Sequence, residues 1–214
     1  MRLRIVSRVM FVLFAACVLA SAYWYDRLPQ AFVSHWNAAG QANGTMTKAT
    51  GAFFIPGLML IFMAIYFAIP KIDPLKENLE KFRKDYDLLW LTMLGFFAWI
   101  HVMMLAWNLG VHFSFVCWLS PAFAALWYAL GVVLGRAHRN WFVGIRTPWT
   151  LASDEVWDKT HRLASKLFKA VAVLSLIGII MPAQASNLIL WPVLGVVLAT
   201  VVYSYIVWKR LPKV

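Results

Sequence analysis

Residues 139–162 read RNWFVGIRTPWTLASDEVWDKTHR, a polar interval between two apolar runs. Asp154, Glu155 and Asp158 stand near His161 in it, and carboxylates beside an imidazole are the raw material of general acid–base chemistry. Helical phase argues against that use. Val156, Thr160, Leu163, Ala164, Leu167 and Val171 fall on one face of a predicted helix. Glu155, Asp158, Lys159, Arg162, Lys166 and Lys169 fall on the opposite, solvated face, with Trp157 and His161 one turn apart at the flank. His138 and His161 lack a Cys or His partner at zinc-ligand spacing. The chain contains no Walker A loop, HExxH pair, nucleophile elbow or dinucleotide fingerprint. The expectation is therefore no enzyme, no cofactor and no metal.

A second chemistry is open to His101, which sits deep in an apolar run where ionisable groups are costly. Asn108 follows at i+7 on the same helical face, and His112 lies beyond it. Such a stripe suits a small transporter or channel with a polar path. It suits better a neutral histidine hydrogen-bonded to a neighbouring helix. Cys17 and Cys117 lie in separate apolar runs without CxxC spacing, which marks them as packing residues.

The elements that must carry these side chains are membrane helices. Of the 214 residues, 62% are hydrophobic and 14% charged. The apolar residues concentrate in long runs at about 9–25, 52–70, 88–110, 113–135, 167–182 and 187–208. The fold class is thus all-α: a polytopic membrane protein of about six spans in a lipid bilayer, with amphipathic cytoplasmic connecting helices. The net charge of +11 does not imply nucleic acid, because all the Lys and Arg except Arg27 and Lys48 fall on one side of the predicted spans. That asymmetry places both termini in the cytoplasm. The leading segment, ending Ala20-Ser21-Ala22, also fits a cleavable secretory signal. Retention as a first span, with Trp24 and Tyr25 as its interfacial anchor, is the expectation.

Two further segments are polar. Residues 26–51 form an external, turn-rich loop distinguished by His35, Trp36 and Asn37. They are either a ligand-facing cluster or an ordered loop whose Trp36 dips into the interface. Residues 73–87 form a cytoplasmic helix, with Asp73 as N-cap and Pro74 at its first position. Its apolar stripe, Leu75, Leu79, Phe82 and Tyr86, is expected on the inner leaflet. Glu77–Lys81 and Glu80–Lys84 are candidate i,i+4 pairs. In the opening stretch, Gly144 permits a turn and Pro148 holds Thr147 extended, so residues 140–152 are expected to be irregular but stiff. Ser153 is the expected N-cap of the helix that follows, and Trp141, Trp149 and Trp157 are expected to anchor the loop at the interface.

Residues 139–162 resemble the C-terminal signature of the SdpI family of bacterial membrane proteins. The resemblance rests on Asn140, Gly144, Arg146-Thr147-Pro148-Trp149-Thr150-Leu151, Trp157 and Thr160-His161. Residues 28–48 resemble the uncharacterised N-terminal domain that often accompanies it, through Leu28-Pro29, His35-Trp36-Asn37, Gly40 and Lys48. Val33 stands where that pattern usually has a proline, Asn43 where an aspartate is common, and Ala164-Ser165 where a glycine pair is. The resemblance divides the chain into a two-span domain, 1–87, and a four-span domain, 88–214, whose cytoplasmic signature loop is 136–166. It implies a multi-pass inner-membrane protein giving immunity to an exported, membrane-active toxic peptide. It also implies a receptor that holds a winged-helix repressor at the membrane. On that reading His35, Trp36 and Asn37 face the peptide. Asn140, Gly144, Arg146, Thr147, Pro148, Trp149, Trp157, Thr160 and His161 form the cytoplasmic side.

Overall fold

The structure, a computed structural model, describes residues 2–212. Of the basic residues that set the orientation, Lys213 and the side chains of Arg2 and Arg4 lie outside the described residues. Helix α1 (Arg2–Trp24) leads through a 3-10 turn into strands β1 (Ala31–Trp36) and β2 (Ala42–Thr47). Then come α2 (Lys48–Ile72), the short α3 (Lys76–Lys81), α4 (Arg83–Asn108) and α5 (Phe115–Leu134). The signature region supplies α6 (Pro148–Ala152) and α7 (Asp154–Ile177), and α8 (Ala185–Arg210) follows. Among the described residues, α1, α2, α4, α5 and α8 are long and apolar enough to cross a membrane.

The expected span at 167–182 is the apolar half of α7, whose first half is too charged to meet that criterion by itself. The helix still runs beside α5 from one end of the bundle to the other. Its Ser165 lies against Gly135 at the end of α5. Beyond its far end, the Gly178 carbonyl accepts from the Cys117 thiol, 3.3 Å away near the start of α5. Its principal neighbours are α5 and α8.

Two expectations need correction. The external segment is not a loop: β1 and β2 pair antiparallel, with irregular register beyond Val33. Long-range contacts hold this hairpin. Phe32 is fully buried beneath α2, so close to Gly51 that any Cβ there would overlap its ring.

The cytoplasmic helix 73–87 is broken. It turns at Phe82, and residues from Arg83 onward already belong to α4. Asp73 accepts from the Leu75 amide at 2.7 Å, but the α-helix starts only at Lys76. Leu79, Phe82 and Tyr86 lie in the larger protein core rather than on lipid. Glu80 pairs with Arg83 at 3.3 Å. Burying three large apolar side chains at about 1.5–3 kcal/mol each outweighs the exposed i,i+4 pairs a straight helix would gain.

Candidate functional site

The signature loop closes onto α7 through three layers of contact. Asn140 forms the first. Fully buried, its amide donates to the carbonyls of His138 and Val143, both at 2.9 Å. Its oxygen accepts from the amides of Phe142 (2.9 Å) and Val143 (2.6 Å). One side chain thus satisfies a buried turn that has no ladder to pair with.

The second layer is Gly144 against Trp157 and His161. Gly144 has φ +134°, and a Cβ there would stand 2.5 Å from His161 Nε2 and 2.9 Å from the Trp157 ring. That close approach lets the Ile145 amide donate to His161 Nε2 at 3.0 Å. Nε2 is therefore the bare nitrogen, and Nδ1–H donates to the Trp157 carbonyl at 2.8 Å. Trp157 in turn donates its indole N–H to the Ala137 carbonyl at 2.7 Å. Burial holds the His161 pKa down at about 4, against a smaller opposing effect of the Trp157 carbonyl. Both ring nitrogens are committed, so this histidine is a neutral structural group rather than a proton shuttle.

The third layer is the RTPWTL turn. Thr147 caps α6, accepting from the Thr150 amide at 3.2 Å, while Thr150 Oγ1 accepts from the Thr147 amide at 2.9 Å. This is a reciprocal capping box with Pro148 just inside the helix. Thr150 also donates to the Ile145 carbonyl at 2.7 Å, and Thr147 Oγ1 lies 3.0 Å from Ser204 Oγ on α8. Residues 148–152 are therefore helical, not irregular. Ser153 caps α7 as expected, accepting from the Val156 amide at 3.4 Å.

The predicted cytoplasmic residues separate into two groups. Asn140, Gly144, Thr147, Trp157, Thr160 and His161 are inward-facing or turn-forming. Arg146 and Pro148 are exposed, and Trp149 is half-buried with its ring 5.0 Å from that of Tyr205. Arg146 donates to the Trp141 carbonyl at 2.7 Å and leaves the rest of its guanidinium outward. Trp157 corrects an expectation: at 1% exposure it is core, not an interfacial anchor, whereas Trp141 is 49% exposed. With Ala137 and Val143, Trp157 belongs to the larger core, whereas Ala164 and Phe168 further along α7 belong to a smaller one.

On the outer side, His35, Trp36 and Asn37 do not converge. His35 points out and meets Asn43 at 2.6 Å. Trp36 turns down and stacks on Phe115, centroids 3.7 Å apart. Asn37 closes the hairpin turn, its oxygen accepting from the Ala39 and Gln41 amides at 3.0 Å each. Inside the bundle, His101 Nε2 lies 3.0 Å from Ser21 Oγ and 3.1 Å from the Cys17 carbonyl of α1. Asn108 behaves as a third strand: it accepts from the Val33 amide at 2.8 Å and donates to the Val33 carbonyl at 2.9 Å. Both members of the predicted polar stripe are thus engaged in holding elements together.

Several residues of the site are not evident from sequence. Asp73 accepts from the Trp141 amide at 3.1 Å, Asn78 donates to the Arg139 carbonyl at 2.9 Å, and Arg136 meets Asp85 at 2.8 Å. Arg139 pairs with Asp154 at 2.8 Å. The contacts of Asp73, Asn78 and Asp85 tie the α2–α4 turn to the signature loop across more than 50 residues of chain. Tyr66, Arg83 and Asp87 form a further buried cluster at the α2–α4 junction, with Arg83 and the Tyr66 hydroxyl both donating to Asp87. The contacts of Asp73, Asn78 and Asp85 with the loop span 51 to 68 residues of chain, so no local sequence pattern signals them.

Residues 136–207 match the SdpI/YfhL protein family, and residues 12–60 match a domain of unknown function, DUF1648. The immunity protein SdpI of Bacillus subtilis (strain 168) is 25% identical over 164 residues, covering 73% of this chain and 75% of that protein. No solved structure matches the chain. The signature loop, the α7 it closes on, and α8 as far as Val207 fall inside the first of those matches. This multi-pass membrane chain is thus similar to the SdpI/YfhL family over residues 136–207 and to DUF1648 over residues 12–60.

Proposed function

We propose that the chain is an inner-membrane immunity protein that protects its cell from an exported, membrane-active peptide. The likeness to a protein named for immunity supports this directly. The observation that carries the finer reading is the locked platform itself. The loop is fixed from within by Gly144, Trp157 and His161, tied to the α2–α4 turn by Asp85–Arg136, and left with Arg146 facing out. A surface with a fixed interior and an exposed cation suits capture of a cytoplasmic partner, and a winged-helix repressor is the one the family resemblance suggests. An external peptide shifts such a bundle only if it binds one arrangement better; turning 1:99 into 99:1 takes about 5.5 kcal/mol of difference.

Deleting the gene and challenging the cells with the peptide their own species exports tests immunity. Increased killing is expected, and unchanged survival removes the reading. Co-purification with wild-type and Arg146→Ala proteins tests the platform, with the repressor expected only on the wild type. The transporter alternative gains no support from His101 Nε2 and the Asn108 carboxamide, which hold α1 and the hairpin.

A further inference from the structure

A cavity lies away from the signature loop, in the outer half of the seam between α1 and α4. It measures about 800 Å³ and is bounded by Ala20 and Trp24 of α1, Arg27 of the following turn, and Val102, Ala106 and Gly110. From Asn108, the last residue of α4, inward to Val102 the wall descends about 9 Å at the helical rise. The depth therefore reaches from headgroup level into hydrocarbon. The walls are mainly apolar and none is acidic; the carboxamide of Asn108, which also borders the space, is committed to Val33.

Charge decides the occupant. Arg27 and Lys48 are the two basic residues on this side of the bundle. Lys48 sits over the Tyr25 ring at 4.7 Å. Arg27 lies over Trp24, 5.1 Å from the ring centroid, and makes no ion pair among the described residues. A guanidinium at the mouth of an apolar slot, flanked by interfacial aromatics, is complementary to an anionic head carrying a hydrocarbon chain.

We infer that this cavity binds an anionic phospholipid of the outer leaflet, with its phosphate on Arg27 and one acyl chain lying between α1 and α4. The site is independent of the immunity reading.

Native mass spectrometry of the full chain in a non-ionic detergent tests it, with phosphatidylglycerol or phosphatidylcholine of identical chains added. The wild type is expected to retain phosphatidylglycerol preferentially. Arg27→Gln should weaken that retention about tenfold, the loss of one charged hydrogen bond. Ala106→Trp should expel both lipids by filling the slot, Lys48→Gln should change nothing, and soluble glycerol phosphate should not compete. Equal retention of both lipids by the wild type overturns the inference, as does Arg27→Gln binding phosphatidylglycerol like the wild type. Displacement by glycerol phosphate overturns the lipid assignment in favour of a free-phosphate site. Arg27 is exposed, so its variant keeps the test valid even if Ala106→Trp fails to fold.

Discussion

The imidazole of His161 lies face to face with the indole of Trp157, ring centroids 3.9 Å apart and planes 18° from parallel. Gly144 closes over the pair so tightly that a methyl group there has no space. This stack is where the loop's backbone, the start of α7 and the larger core meet.

Gly144→Ala is expected to destabilise the protein by about 3 kcal/mol, combining strain at positive φ with overpacking against two rings. Gly40→Ala is the comparison. Its φ is +77°, but the nearest atom to an added Cβ is 4.0 Å away, so only the backbone strain applies. Its expected cost is about 1 kcal/mol. Denaturant unfolding in detergent measures both, and equal losses would refute the close-approach explanation.

The pH dependence of stability follows from His161. Its folded pKa is near 4, below the ordinary 6.5, so the folded state keeps it neutral. As pH falls through 6.5 the unfolded chain takes up a proton that the folded protein refuses, and stability drops. The loss approaches about 3 kcal/mol near pH 4 and then levels off. The difference in unfolding free energy between wild type and His161→Gln isolates this contribution, and a difference independent of pH between 7 and 4 would contradict it.

Asn108→Ala removes the strand-like pairing with Val33 and is expected to cost about 1–3 kcal/mol. Amide exchange should accelerate over residues 31–36, while α5 and α7 stay protected. Unchanged protection of the hairpin would show that Phe32 beneath Gly51 suffices to hold it.

Arg136 and Asp85 join the two halves of the chain, but the arginine side chain is 67% exposed. A double-mutant cycle should therefore return a coupling below about 1 kcal/mol, because water screens the pair. A larger value would mean the contact closes more tightly than its exposure indicates.

The membrane architecture was legible because apolar runs and charge asymmetry are local properties of sequence. So were the buried face of α7, from Val156 through Thr160, Ala164 and Val171, and its Ser153 cap. The hairpin was not. ANGTMT lacks the alternation of a strand, and its partner is held by Asn108, 75 residues from Val33. Trp157 and His161 were placed on a helix flank because a helical wheel shows phase and not cover. The cover is the loop at Gly144, which only the fold brings there. The break at Phe82 escaped for the same reason: a continuous stripe does not reveal that it bends into protein rather than lying on lipid.

Survival of peptide-sensitive cells expressing this chain tests the central claim most directly, when they are challenged with the peptide exported by its own host. Cells expressing the wild-type chain are expected to survive a dose that kills vector controls, and cells expressing Gly144→Ala at matched membrane levels to survive less well. Identical killing of wild-type and control cells, with the chain present in the membrane, would contradict the account.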